Sequence, residues 1–210
     1  MRRLQRYEIH PDNPQARLLQ AVAERLRAGA VAAVPTAVGY LTACRLDDKA
    51  AAARLLRQTD ERQPVMLLCR DLAQAAGYLQ IDDQAFRAVR DAEAGEAAFL
   101  LRCTHRVPRR LASAAGGAGL LFFGAHAVCR GLLEQVDEPL LAVPPWGGRG
   151  IEEVGQLPAD ALAVLDVALD AGSLAEPPRL ACVELFKPSR PSLARWARGT
   201  AAPSELQLGA

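Results

Sequence analysis

Apolar residues along this chain come in short runs, parted by proline, glycine or paired acidic residues, and several runs are joined by stretches with helical spacing. The most informative stretch is 31–44, VAAVPTAVGYLTAC. Its apolar run breaks at Pro35-Thr36 and restarts at Gly39-Tyr40. That pattern predicts a strand, a tight bend and a second strand. Pro35 fixes φ and donates no N–H, so it suits a strand end. Gly39 permits a positive φ or a close backbone approach. On the residues alone this is an ordinary β-turn with a half-buried Tyr40. A strand ending beside a hydroxyl, a glycine and a tyrosine can also floor a small-molecule pocket.

The rest of the chain is read the same way. Residues 7–10 predict a short strand. Asp12-Asn13-Pro14 predicts a helix start, with Asn13 as cap and Pro14 in the first turn. Leu18, Leu19, Val22 and Leu26 share one face of that helix, and Gly29 ends it. Asp47-Asp48 opens a helix to about residue 58, and 65–69 is a continuous apolar run of buried-strand length. Asp71 opens a helix to about residue 78. Asp82-Asp83 opens another to about residue 91, with Phe86 and Val89 inward. Strands are expected at 99–103, 120–123, 140–143 and 180–186, and a last one at 193–196. A helix is expected at 127–134, and a longer one at 159–171 with Leu162, Leu165 and Leu169 at helical spacing and Gly172 as its stop. Residues 112–119 and 144–148 read as loops, and the last eleven residues as a frayed end. This alternation predicts a mixed α/β or α+β domain.

Bulk properties narrow the function. The 210 residues suit one domain, and half of them are hydrophobic, which supplies a real core. The formal net charge is +1, so any nucleic-acid site has to be a local patch. The odd set of cysteines, Cys44, Cys69, Cys103, Cys129 and Cys182, has no zinc or redox spacing and reads as buried reduced thiols of a cytoplasmic protein. His10, His105 and His126 are scattered, so no metal is expected. The basic start, MRRLQRYEIH, lacks the apolar core of a signal peptide, and no run approaches the ~20 apolar residues of a membrane span. The glycines at 116–119 precede Leu120-Leu121-Phe122-Phe123, not a helix with a lysine, so they read as a linker.

The segment Pro35-Thr36-Ala37-Val38-Gly39-Tyr40 resembles the Pro-Thr-Asp-Thr/Ser-x-Tyr signature of the YrdC/YciO family, and the chain is most similar to its YciO branch. IHPDNPQARLLQ (9–20), LLCRDL (67–72) and VPRRL (107–111) fit the same pattern. The resemblance is good over 9–111 and faint beyond. It implies a single YrdC-like domain over 9–199, with terminal extensions at 1–8 and 200–210. The implied fold is a twisted mixed sheet flanked by helices, with a concave basic face. Active members condense threonine, bicarbonate and ATP, with magnesium, into threonylcarbamoyl-AMP for tRNA modification. Such a site needs cations on the triphosphate and polar groups on the threonine.

The resemblance assigns Thr36, Tyr40 and Arg57 to substrate and nucleotide binding. Arg57 stands where the family has the lysine of a Lys-x-Arg pair, but its fork is not equivalent to an ammonium. Thr59 leaves the second cation missing unless Arg62 replaces it. Ala37 and Val38 replace the signature's acid and hydroxyl. Further family positions fall at Ala94-Gly95 and Ala97-Ala98, at Phe122-Phe123-Gly124, at Ala142-Val143-Pro144 and at Leu180-Ala181, where the expected arginine, serine, asparagine and hydroxyls are gone. Each lost charge-assisted bond is worth roughly 1.5–3 kcal/mol. The reading is therefore a degenerate site with no certain cofactor; ATP with magnesium belongs only to the active alternative.

Residues 102–110, RCTHRVPRR, form the densest basic run, and no acid interrupts it. The resemblance includes double-stranded RNA binding, so Arg102, Arg106, Arg109 and Arg110 are the candidate contacts to RNA or tRNA phosphates, without DNA sequence specificity. Arg25, Arg27, Arg54 and Arg70 are possible extensions of the patch. Arg190, Arg195 and Arg198 around Trp196 form a second, weaker cluster. Three functions are expected: an RNA-binding protein with a degenerate synthase site, an active synthase, or a non-catalytic interaction scaffold.

Overall fold

The structure is a computed structural model that describes residues 4–57, 65–91, 97–112, 117–143, 150–175, 180–185 and 192–193. In chain order the elements are β1 (Gln5–Glu8), α1 (Ala16–Arg27), β2 (Ala32–Thr36), β3 (Gly39–Arg45), α2 (Lys49–Leu56) and β4 (Val65–Leu68). Then come α3 (Leu72–Tyr78), α4 (Asp83–Asp91), β5 (Ala97–Arg102), α5 (Arg109–Ala112), β6 (Ala118–Phe122) and α6 (Ala127–Val136). The last are β7 (Leu140–Ala142), α7 (Ala159–Val164), β8 (Val167–Asp170), β9 (Ala181–Glu184) and β10 (Ser192–Leu193).

The strands make one mixed sheet in the order β1-β8-β2-β3-β7-β4-β6-β5-β9-β10. Alternate side chains of each strand point to opposite faces. On one face Val31, Ala33, Tyr40, Leu67, Phe99, Leu121 and Leu141 pack with residues of α2, α3, α4, α5 and α7. On the other, Val34, Leu41, Met66, Leu120, Phe122 and Leu169 pack with α1 and α6. The two helices of that second layer approach closely because of Gly131, where a Cβ would sit 2.6 Å from Leu19 Cδ1.

Strand directions place the chain ends. β3, β4 and β6 run one way, because β7 is antiparallel to both β3 and β4 and β4 is parallel to β6. β2 and β8 run the other way beside them. The β2–β3 turn therefore defines one edge of the sheet, the hairpin edge. There β3, β4 and β6 begin, and β1, β2, β5 and β8 end.

Acidic caps behave as their sequence positions predict. Asp48 accepts the N–H groups of Ala50 and Ala51 at the start of α2, and Asp71 accepts that of Gln74 in α3. Gly29 ends α1 with a φ of 86°. Five expectations are corrected. Helix α1 starts at Ala16, and it is His10, not Asn13, that ties down the preceding turn. The first strand lies at Gln5–Glu8 and pairs with β8, so the sheet begins ahead of residue 9. Phe86 is 45% exposed; Ala85 and Val89, four apart, take the inward stripe, and Phe86 lies under Arg90 instead. The helix expected over 159–171 stops at Val164, and β8 follows. β8 is parallel to β1 and β2 and buried on both faces, so its near-continuous apolar run imitates a helical spacing. The expected loop at 112–119 is shortened by α5 and β6, and the expected strand end at 194–196 and frayed terminus lie outside the described residues.

Candidate functional site

Topology carries most of the predicted residues to the hairpin edge. Thr36 and Tyr40 flank the turn itself. Helix α2 connects the far end of β3 to the start of β4, so Arg57, just past it and exposed, arrives at that edge. Arg102 is the last residue of β5, opposite Ala118 at the start of β6.

The turn is latched from within. Thr36 Oγ1 donates to the Gly39 carbonyl at 2.7 Å and accepts the Val38 N–H at 3.3 Å. Gly39 has a φ of 96°, and a Cβ there would lie 2.4 Å from Ile151 N, so the segment around Ile151 is laid directly against the turn. The Tyr40 N–H donates to the Ile151 carbonyl at 2.8 Å. The Tyr40 hydroxyl donates to the Gly172 carbonyl at 2.8 Å and accepts the Ala171 N–H at 2.9 Å. Burial is the main reason its phenol is pushed up to about 12; the Ala171 bond pulls the other way. Both signature hydroxyls thus have internal partners, and Thr36 and Tyr40 are buried.

The replaced positions differ in what they face. Val38 is fully buried and packs into the α1–α6 side, whereas Ala37 is half-buried. Ala142 and Val143, where the resemblance puts a serine and its neighbour, are buried and apolar. Phe122 is fully buried, and a Cβ on Gly124 would press on Cys129 Sγ at 2.3 Å. Gln58, Thr59, Arg62, Ala94, Gly95, Pro144, the glycine at 116 and the cluster around Trp196 lie outside the described residues.

The basic run splits in direction. Thr104 anchors it on α3, with its N–H on the Tyr78 carbonyl at 2.8 Å and its hydroxyl on the Gly77 carbonyl at 2.9 Å. The Arg106 guanidinium then stacks over the Tyr78 ring, 4.7 Å from its centroid. Leu111 sinks α5 into the core on the α2–α5 face, and the Arg110 charge reaches the Cys44 thiol. Arg102, Arg106, Arg109 and Arg110 are all exposed. Asp47 and Glu138 also act on Tyr78, so acids border the patch.

The possible extensions do not join it. Arg25 and Arg27 end α1, on the other side of the sheet, and Arg27 bonds the Gln135 carbonyl. Arg54 pairs with Asp166, and Arg70 bridges Asp71 and Asp137. Sequence reasoning missed the Ala171–Gly172 turn and Ile151 as partners of the signature. Gly172 was visible as a helix stop, and its φ of 82° is instead used in the turn after β8.

All five cysteines are free; four are buried and Cys103 is half-buried. Burial pushes the thiols of Cys44, Cys129 and Cys182 up to about 12, so they are poor nucleophiles. Among the described residues no three His, Cys, Asp or Glu side chains gather as metal ligands. Nor is any described helix long and apolar enough to cross a membrane.

Comparison with known proteins agrees with this fold. The Sua5/YciO/YrdC family profile, described as telomere recombination, matches residues 24–176. Escherichia coli YciO, an uncharacterized protein, is 36% identical over 138 residues, covering 65% of this chain and 67% of its own. An uncharacterized Haemophilus influenzae protein is 33% identical over the same length. The crystal structure of E. coli YciO superposes with a TM-score of 0.85 at 29% identity, over 92% of this chain and 95% of YciO. Pyrococcus abyssi Sua5, solved with L-threonine, shares the fold at a TM-score of 0.78 and 17% identity, over 90% of this chain and 56% of Sua5. One mixed sheet flanked by helices is the fold it shares with these structures, and the chain belongs to the Sua5/YciO/YrdC family.

Proposed function

We propose that this chain is a cytoplasmic YrdC/YciO-like protein that binds double-stranded RNA or tRNA, with a threonylcarbamoyl-AMP synthase site too degenerate for more than weak activity. The observation that carries the second half is the hairpin edge. Thr36 and Tyr40 keep the signature, but their hydroxyls are engaged within the fold. The acid and hydroxyl between them are Ala37 and Val38. ATP with magnesium fits this edge poorly: of the expected nucleotide ligands, Arg57 is the one cation among the described residues.

The RNA half is supported by four exposed arginines on one short segment, with no acid between them in sequence. Arginines spaced along a loop and a short helix suit the phosphates of an A-form duplex, giving salt-sensitive, sequence-independent binding. The test is a gel shift with duplex RNA and tRNA at low and raised salt. A salt-sensitive shift supports the reading, and no shift at low salt removes it and leaves a scaffold.

One observation favours a second reading. Thr36, Tyr40 and Arg57 share an edge, as an active synthase using threonine, bicarbonate and ATP requires. Threonine-dependent release of pyrophosphate from ATP would establish it.

A further inference from the structure

Two histidines do unusual work in the α1–α6 layer, away from the signature turn. His10 Nδ1 accepts the N–H groups of Asp12 at 3.2 Å and Asn13 at 3.1 Å. His126 Nδ1, at the N-cap of α6, accepts the Val128 N–H at 3.2 Å. A backbone N–H only donates, so each Nδ1 must carry the lone pair, and each neutral ring holds its proton on Nε2. The residue preceding α1, Gln15, makes no side-chain cap to that helix; its side chain accepts the His10 N–H instead, at 3.3 Å. The entry to α1 thus closes on His10 from both sides.

We propose that His10 and His126 form a pH-responsive latch, fastening the turns that enter α1 and α6 when neutral and releasing them when protonated. An imidazolium has no acceptor, so Nδ1–H would meet the very N–H groups it now receives. A cation at the start of α6 also opposes the helix dipole. The charges that reach His126 are the Asp12 carboxylate, from the turn that His10 holds, and the Arg130 guanidinium within α6. Burial is the largest influence and lowers its pKa; Arg130 adds to this and Asp12 opposes it. Asp12 therefore joins the two rings: held by His10 through its N–H, it acts on His126 through its carboxylate. Glu8 and Asp12 are the charges nearest His10 in sequence.

A chain of hydrogen bonds connects the latch to the signature turn. The Ile9 N–H donates to the Asp170 carbonyl, the Asp170 carboxylate accepts the Gly172 N–H, and the Gly172 carbonyl accepts the Tyr40 hydroxyl. Release at His10 loosens the end of β1 at the hairpin edge. The sign follows from linkage. Folding lowers the pKa of His126, so its contribution is intact above about pH 6.5 and falls as pH drops toward the lowered value.

Asn Oδ1 occupies the place of His Nδ1 and accepts at every pH. The test compares Tm at pH 7.5 and pH 5.0 for the wild type, H105N and H10N/H126N. The wild type and H105N are expected to lose at least about 3 °C more on acidification than H10N/H126N. In the wild type, the amide resonances of Asp12, Asn13 and Val128 should move with the His10 and His126 imidazole titrations. This second measurement decides the matter if the double variant does not fold. Equal Tm losses in all three proteins, or amides that stay fixed while the imidazoles titrate, would overturn the latch.

Discussion

The Tyr40 hydroxyl holds the chain turn at Gly172, donating to its carbonyl at 2.8 Å across 132 residues of sequence. With the Ala171 N–H bonded to the same oxygen, the last turn of the β1–β8–β2 side is fastened to the signature hairpin. The most recognisable residue of the signature is thereby a structural clamp.

Tyr40→Phe leaves that N–H and that carbonyl without their partner. It should cost about 1–3 kcal/mol, measured by urea denaturation with an unchanged m value. The clamp also has a pH signature. Because folding raises the phenol to about 12, its contribution is whole below the unfolded value near 10 and is lost as pH rises toward 12. Burial also raises Tyr78, so a spectrophotometric titration should show more than one late tyrosine, and Tyr40→Phe should remove the step near pH 12 while the Tyr78 step remains.

Gly39 and Gly172 both have positive φ, but only Gly39 has backbone in the way of a Cβ. Gly172→Ala should lose about 1–2 kcal/mol from the left-handed backbone alone. Gly39→Ala adds the collision with Ile151 and should lose distinctly more in the same denaturation assay. Equal losses would mean that the Ile151 segment yields freely.

The Arg54–Asp166 pair joins α2 to the start of β8. Asp166 also accepts the Val31 N–H at 2.9 Å, and Arg54 donates to the Gly29 carbonyl at 3.3 Å. Arg54→Met leaves a carboxylate only 8% exposed without its guanidinium. A loss of about 2–4 kcal/mol is expected, with a smaller loss for the Arg54→Met/Asp166→Asn pair.

For RNA, Arg109→Ala with Arg110→Ala should weaken binding and reduce the salt slope by about two. Arg25→Ala with Arg27→Ala should leave it unchanged, since α1 lies on the other side of the sheet. An unaltered slope in the first pair would move the patch elsewhere.

Local chemistry was legible in the sequence, and long-range pairing was not. Pro35, Gly39, Asp48 and Asp71 each dictate a turn or cap within a few residues, and the structure has those turns and caps. Leu162, Leu165 and Leu169 misled because helical spacing and a doubly buried parallel strand share one pattern; only pairing with β1 and β2 separates them. The His10 turn was hidden behind Asn13, a better cap in general, because an imidazole acceptor is rarely weighed for that role. At the site, the motif gave the place of Thr36 and Tyr40 but not their partners, since Gly172 becomes a neighbour only through β8.

Titration calorimetry with ATP and magnesium, with and without threonine and bicarbonate, tests the degenerate site most directly. An affinity weaker than millimolar, with no threonine-dependent pyrophosphate release, is the expected result. Micromolar ATP binding coupled to threonine-dependent pyrophosphate release would contradict it, and would mean that this edge still grips a nucleotide.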